Sequence, residues 1–210
     1  QLTQSVMSVI DRMNAAKTLD YKDREGVVHK ASFADRYRVG NVVQYVRIDG
    51  YTKQESPFTG EITSVKDGIV TYSTGTIATT NGELVRFANG NTYDPPIPFL
   101  PADGLAVGRK WSARIGYTPG AGRPGAGTQV WEEVEGKVIS LEQMIIRAGT
   151  FTTFKVERNR NNFYGVRVRA TDWVDASTGI TIKSVVEVRS RNGNPELYTN
   201  EVVSIKLGNT

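Results

Sequence analysis

The chain contains no cysteine and a single histidine, His29. The first absence excludes disulfides, thiolate metal sites and a cysteine nucleophile. The second excludes multi-histidine zinc sites. No uninterrupted apolar run approaches the ~18 residues of a membrane-spanning helix. The net charge is only +4, too small by itself to imply a polyanionic partner. Much familiar enzymology is therefore removed before any motif is read. What is present is 210 residues, 39% hydrophobic and 23% charged. That composition can bury a core within one large β domain and excludes wholesale disorder. The lack of cysteine is compatible with both cytoplasm and envelope. No signal peptide is visible, and a start at Gln1 leads to the expectation of a mature form whose leader has been removed.

Periodicity divides the chain in two. Val6, Val9, Ile10, Met13, Ala16 and Leu19 recur at helical spacing, which predicts an N-terminal helix packed on a sheet. The charged stretch Asp20–Glu25 and Gly26 end it, so residues 1–26 are expected to be a helical segment and 27–210 a single β domain. From Val27 the period becomes two. Trp111, Ala113, Ile115 and Tyr117 alternate with polar or small neighbours, as do Tyr164, Val166, Val168 and Ala170, and Ile180, Ile182, Ser184, Val186 and Val188. Such alternation predicts strands with one buried face. Weaker strands are expected at Val42–Ile48, Glu61–Val65, Ile69–Ser73, Glu83–Phe87, Gln129–Glu135, Lys137–Ile146, Thr150–Glu157 and Leu197–Lys206. Turn sequences such as Lys66-Asp67-Gly68, Asn81-Gly82 and Ser177-Thr178-Gly179 separate them. Recurrent helices are missing, so the expected fold is all-β and mainly antiparallel. The proline-rich run Asp94–Pro101 is expected to cross between two halves of the sheet, since proline cannot serve a central strand. The stretch Gly120–Gly127 lacks the Lys-Ser/Thr ending of a phosphate loop and reads as a hairpin tip. A faint echo relates Val39-Gly40 … Gly50-Tyr51-Thr52 to Val107-Gly108 … Gly116-Tyr117-Thr118; it reads as reuse of hairpin grammar.

Chemistry-bearing residues are sparse. His29 has no nearby Ser or Asp partner, and a general base needs both an orienting group and a nucleophile. Glu133 and Glu135 share a strand face, with Glu132 on the other; paired carboxylates can hydrolyse glycosides, but on one strand they read as a solvated face. Asp172 and Asp175 flank Trp173, which reads as a tryptophan packed beside a turn. Positive charge concentrates between Arg147 and Arg191. Within that span Arg167 and Arg169 share a face that Lys183 can join, a stripe able to meet phosphate. No aromatics interleave with it, so nucleic acid is not the expected partner. The reading is therefore non-enzymatic, with no catalytic residue, metal or cofactor.

Several segments occur in a recognisable order: Pro98-Phe99-Leu100-Pro101, Leu105–Trp111, Val134–Val138, Arg147-Ala148-Gly149-Thr150-Phe151, Phe154–Glu157, and Thr171-Asp172-Trp173-Val174-Asp175 with Thr178–Lys183. Over roughly residues 37–188 the chain resembles a family of bacterial exported proteins of unknown function, half-open β-barrels akin to the lipoprotein-localisation carriers of the Gram-negative envelope. Arg147 departs from the small or proline residue expected before Ala-Gly-Thr-Phe. The resemblance implies a strongly curved sheet or half-open barrel around an apolar concavity, covered by a helix or loops. It also implies a periplasmic or outer-membrane-associated location and binding of a lipid or other amphiphile. The alternative is a structural or protein-interaction module, with an envelope protein as partner, whose concavity its own residues fill. If it is a carrier, the expected liners are Trp111, Ile115, Phe154, Val166, Val168, Ile182 and Val186. The expected basic rim is Arg167 and Arg169, which alternation places on the opposite face from Val166 and Val168.

Overall fold

The computed structural model describes residues 20–22, 28–30, 34–101 and 104–209. The helix expected over Val6–Leu19 lies outside the described residues. Asp20–Lys22, inside the segment expected to be helical, is instead a short strand, β1, paired antiparallel with β2, Val28–Lys30. One turn of 3-10 helix, Ala34–Tyr37, leads into the main body.

Twelve antiparallel strands follow. They are β3 (Val42–Asp49), β4 (Glu55–Lys66), β5 (Ile69–Tyr72), β6 (Ile77–Thr79), β7 (Glu83–Arg86) and β8 (Thr92–Pro98), then β9 (Lys110–Thr118), β10 (Val130–Ile146), β11 (Gly149–Asn162), β12 (Arg167–Asp175), β13 (Thr181–Arg189) and β14 (Glu196–Lys206). The all-β antiparallel fold and its strong curvature are as the alternation and turns required. The curvature runs further than a half-open arc: β14 pairs with β3 and β8 with β9, so the sheet closes into a barrel. Closure removes the free edges that an open sheet must protect.

The closing strand is the proline-rich run that was expected to be a crossover. Thr92, Tyr93 and Asp94 pair with β9, and Thr92, Ile97 and Pro98 pair with β7. Pro95 and Pro96 fall between these stretches, where neither ladder has a partner for them. Their missing N–H groups therefore break no ladder bond. The strands expected at Gln129–Glu135 and Lys137–Ile146 are one 17-residue strand, β10. Gly136 does not interrupt it, because the Trp111 indole lies where a Cβ would stand.

Three long strands bend at the same kind of place. In Ile62-Thr63-Ser64 of β4, Val138-Ile139-Ser140 of β10 and Val202-Val203-Ser204 of β14, two steps along the strand match one step on its neighbour. Each middle residue is thus a β-bulge, which increases local twist and turns the strand. The residue before each bulge is anchored in the core, Ile62 at 3% exposure and Val138 and Val202 at 0%. The internal echo has a counterpart here. Gly40 N–H donates to Ile62 O at 2.8 Å and Ile62 N–H to Asn41 O at 2.9 Å. Gly108 N–H donates to Val138 O and Val138 N–H to Arg109 O at the same two distances. Both glycines are left-handed, with φ of 83° and 87°, so the two copies share turn, register and bulge.

Candidate ligand-binding groove

Alternation sends the even positions of β10, up to Val138, and those of β11 and β12 inward. Of the residues expected to line an apolar concavity, Trp111, Ile115, Phe154 and Ile182 take part in core packing. Phe154 and Ile182 are fully buried, Ile115 is 4% exposed and Val186 7%. Trp111, Val166 and Val168 are partly buried. They do not converge either. Phe154 and Trp111 pack with Leu100 and Val174, Ile115 with Tyr93 and Ile97, and Ile182 with Val43 and Val202. Trp111 Nε1 also donates to Pro98 O at 3.2 Å. Trp111 with Phe154, Ile115, and Ile182 thus belong to three separate core clusters.

Polar groups share this interior. Asp172 accepts Arg158 Nε at 2.5 Å and Ser184 Oγ at 2.7 Å. Arg160 Nη1 donates to Glu132 at 2.9 Å and to the Tyr93 hydroxyl at 3.3 Å. Phe99 lies 4.3 Å from the Arg158 guanidinium and 5.5 Å from that of Arg160, close enough for cation–π attraction. Burial raises Glu132 above the ordinary glutamate value, with Arg160 opposing. Burial likewise raises the Tyr93 phenol far above its usual value, so it is a neutral hydrogen-bonding group at pH 7. Asp175 caps the following turn, accepting Thr178 Oγ1 at 2.6 Å and Thr178 N–H at 3.1 Å.

The large recess is lined by residues of both parities of these strands, Arg158 and Arg160 among them. It has a volume of 1030 Å³ and is walled by β9 to β14. Pairing register sets its side chains in rows. One row crosses Arg114, Glu133, Asn161 and Arg167; the next crosses Ser112, Glu135, Asn159, Arg169, Glu187 and Leu197. Asn159 Nδ2 donates to Glu135 at 3.2 Å and Asn161 Nδ2 to Glu133 at 3.5 Å. Arg114 lies 3.6 Å from Glu133 and 5.1 Å from the centre of the Trp131 ring. Arg167 and Arg169, the expected basic rim, do border this recess. Neither has a hydrogen bond or ion pair to another described residue. Asn161 Oδ1 is buried without a partner. Of the seven expected apolar liners only Val168 borders the recess.

The sequence reading ended the strand at Glu157, so Asn159 and Asn161 were missed. The signal available was alternation itself: Val156, Arg158, Arg160 and Asn162 continue the inward parity, and Glu157, Asn159 and Asn161 the outward one. Among the described residues no three His, Cys, Asp or Glu side chains gather as a metal site.

No family model matches the chain, and no curated protein matches it. Among solved structures it is similar to the hypothetical lipoprotein YmcC from Escherichia coli K12, at 11% identity over 81% of this chain and 86% of that one, with a TM-score of 0.46. It is also similar to a candidate lipoprotein from Parabacteroides distasonis ATCC 8503, at 11% identity over 80% and 96%, TM-score 0.42. A third likeness is to a candidate exported protein with a YmcC-like fold from Bacteroides fragilis NCTC 9343, at 11% identity over 81% and 97%, TM-score 0.40. The fold described above rests on the strand pairings of this chain.

Proposed function

We propose that the chain is a non-enzymatic binding module of a bacterial envelope, self-filled in its interior, that recognises a polar partner through the groove on β9–β14. The observation that carries this reading is the contrast between the two recesses. One recess, 1030 Å³, is lined mainly by Arg, Glu and Asn side chains. The second, between β3, β4 and the turn after β12, measures 110 Å³, well below the ~300–1,000 Å³ typical of ligand pockets. Two arginines with no hydrogen bond or ion pair among the described residues, and one unsatisfied amide oxygen, supply hydrogen-bonding capacity that a partner can take up. The envelope location rests on the sequence resemblance alone.

The deciding experiment is native mass spectrometry with solvent extraction on protein purified from its own host, beside binding to anionic and neutral liposomes at two salt concentrations. The expected result is no stoichiometric lipid and no retention by either vesicle. Stoichiometric acyl lipid would overturn the self-filled reading in favour of an amphiphile carrier. A hydrolase screen is expected to find no turnover. Activity abolished by His29→Ala or Glu133→Gln would overturn the non-enzymatic assignment.

A further inference from the structure

One half-buried arginine, whose Nη1 is buried, is used neither by the groove nor by the core ion pairs. Arg36 sits in the 3-10 turn that enters the barrel. Asn41, 2% exposed, fixes that turn: its Nδ2 donates to Arg36 O at 3.2 Å and its Oδ1 accepts Gly208 N–H at 2.8 Å. The Arg36 side chain borders the 110 Å³ recess together with Tyr45, Tyr72 and Thr181. Its Nη1 is buried and has no hydrogen-bond partner. Among the described residues the carboxylate within electrostatic reach is Asp172, and both of its oxygens are engaged, by Arg158 and Ser184. Arg36 forms no ion pair among the described residues. An arginine cannot shed its charge, and a buried charge without a counterion is costly.

Tyr45 and Tyr72 also line the recess, and each phenol has a hydroxyl to donate. Neither the Tyr45 nor the Tyr72 hydroxyl makes a hydrogen bond to a described residue. Burial pushes the Tyr45 phenol up to about 12 and raises that of Tyr72, so both carry their protons at pH 7. The flanking side chains Val43, Ile62 and Ile180 are apolar. A guanidinium fork and phenol hydroxyls in a partly apolar recess match the oxygens of a small anion.

We infer that the recess beside Arg36 binds one small free oxyanion, a carboxylate or phosphate, which neutralises Arg36 and accepts from Tyr45 and Tyr72. A volume of 110 Å³ admits such an ion with a water or two, since a water takes ~30 Å³ of liquid volume. It does not admit a large polyanion.

The test is thermal denaturation of the full chain at pH 7 with inorganic phosphate, acetate or citrate, at ionic strength fixed with chloride. The melting temperature of the wild type is expected to rise with phosphate or acetate beyond the general salt effect, and citrate, too large for the recess, to add nothing specific. Arg36→Gln should lose that specific rise while keeping the general one. Tyr45→Phe and Tyr72→Phe, gentler changes, should each weaken the apparent affinity by about 2–10-fold, the range for one lost hydrogen bond. Arg167→Gln with Arg169→Gln should leave the response intact, which separates this site from the groove. An equal rise in wild type and Arg36→Gln, or none in either, would overturn the inference. So would a crystal grown in phosphate whose recess holds only water.

Discussion

Four arginines within twelve residues meet two opposite fates. Arg158 and Arg160 on β11 enter the interior and find Asp172 and Glu132. Arg167 and Arg169 on β12 pair across from Asn161 and Asn159 and face the groove with no ionic partner among the described residues. Composition does not separate the two pairs; parity does. Alternation places successive side chains on opposite faces. A charge on the inward parity must bring its counterion with it, whereas one on the outward parity keeps its water. The first pair is therefore an element of the fold and the second is available to a partner.

The largest effect that can break this comparison is loss of an inward counterion. Asp172→Ala strands both Arg158 and Ser184, and the expected cost is about 3–5 kcal/mol, as for a broken buried pair. Urea denaturation measures it. Replacing both partners at once, Arg158→Met with Asp172→Leu, is expected to cost much less than the single change, because no buried charge is then left alone. A single-variant cost below about 1 kcal/mol would show that water reaches the pair and that the two faces are not different in kind.

A smaller effect tests the packing that fills the interior. Gly136 has an ordinary φ, but the Trp111 ring occupies the place of its Cβ. Gly136→Ala should therefore cost about 1–3 kcal/mol by overpacking. Denaturation near the wild-type midpoint would show the indole free to move aside.

Alternation made the inner strand faces readable wherever apolar residues marked them, as at Trp111–Tyr117 and Ile180–Val188. It failed where inward residues are charged, since Arg158 and Arg160 look like surface to any hydrophobicity count. Barrel closure was illegible for a related reason. It depends on β8, whose prolines argue against a central strand, and only the three-dimensional register shows that Pro95 and Pro96 sit between ladders. The bulges did leave a trace, in that an aliphatic residue stands two before serine in each case, at Ile62, Val138 and Val202. Such triplets are too common to stand out until pairing shows the shift. For the candidate site, Arg167 and Arg169 were legible by parity. The depth of the recess, and the polar partners supplied by β9 to β11, were not.

The outward pair gives the third test. Arg167→Gln with Arg169→Gln should change stability by no more than about 0.5 kcal/mol, as expected of surface substitutions without structural partners. The same variant should weaken binding of a polar partner in the groove, and binding by the wild type should fall as salt rises. A stability loss comparable to that of Asp172→Ala would place these arginines in the fold and remove them from the groove.

The smallest effect belongs to an exposed pair that spans the barrel. Arg147, in the turn between β10 and β11, donates Nη1 to Glu55 Oε2 at 2.9 Å and Nη2 to Glu55 Oε1. Its backbone N–H also donates to Glu201 Oε1 at 3.1 Å, so one residue ties the turn to β4 and β14. This gives the unexpected Arg before Ala-Gly-Thr-Phe a structural role. The hydrogen bonds to Arg147 hold Glu55 below the ordinary glutamate value. A carboxylate whose pKa is lower folded than unfolded stabilises the fold fully above its unfolded value, about 4.3 for glutamate. That stability is lost as pH falls through the lower, folded value, because the unfolded chain takes up the proton first. The gap in denaturation midpoint between wild type and Glu55→Gln should therefore be widest near neutrality and close on acidification. Both side chains are nearly half exposed, so added salt should narrow the gap as well. A gap that ignores both pH and salt would mean that Glu55 acts through the packing of its aliphatic stem, and that the clamp is not electrostatic.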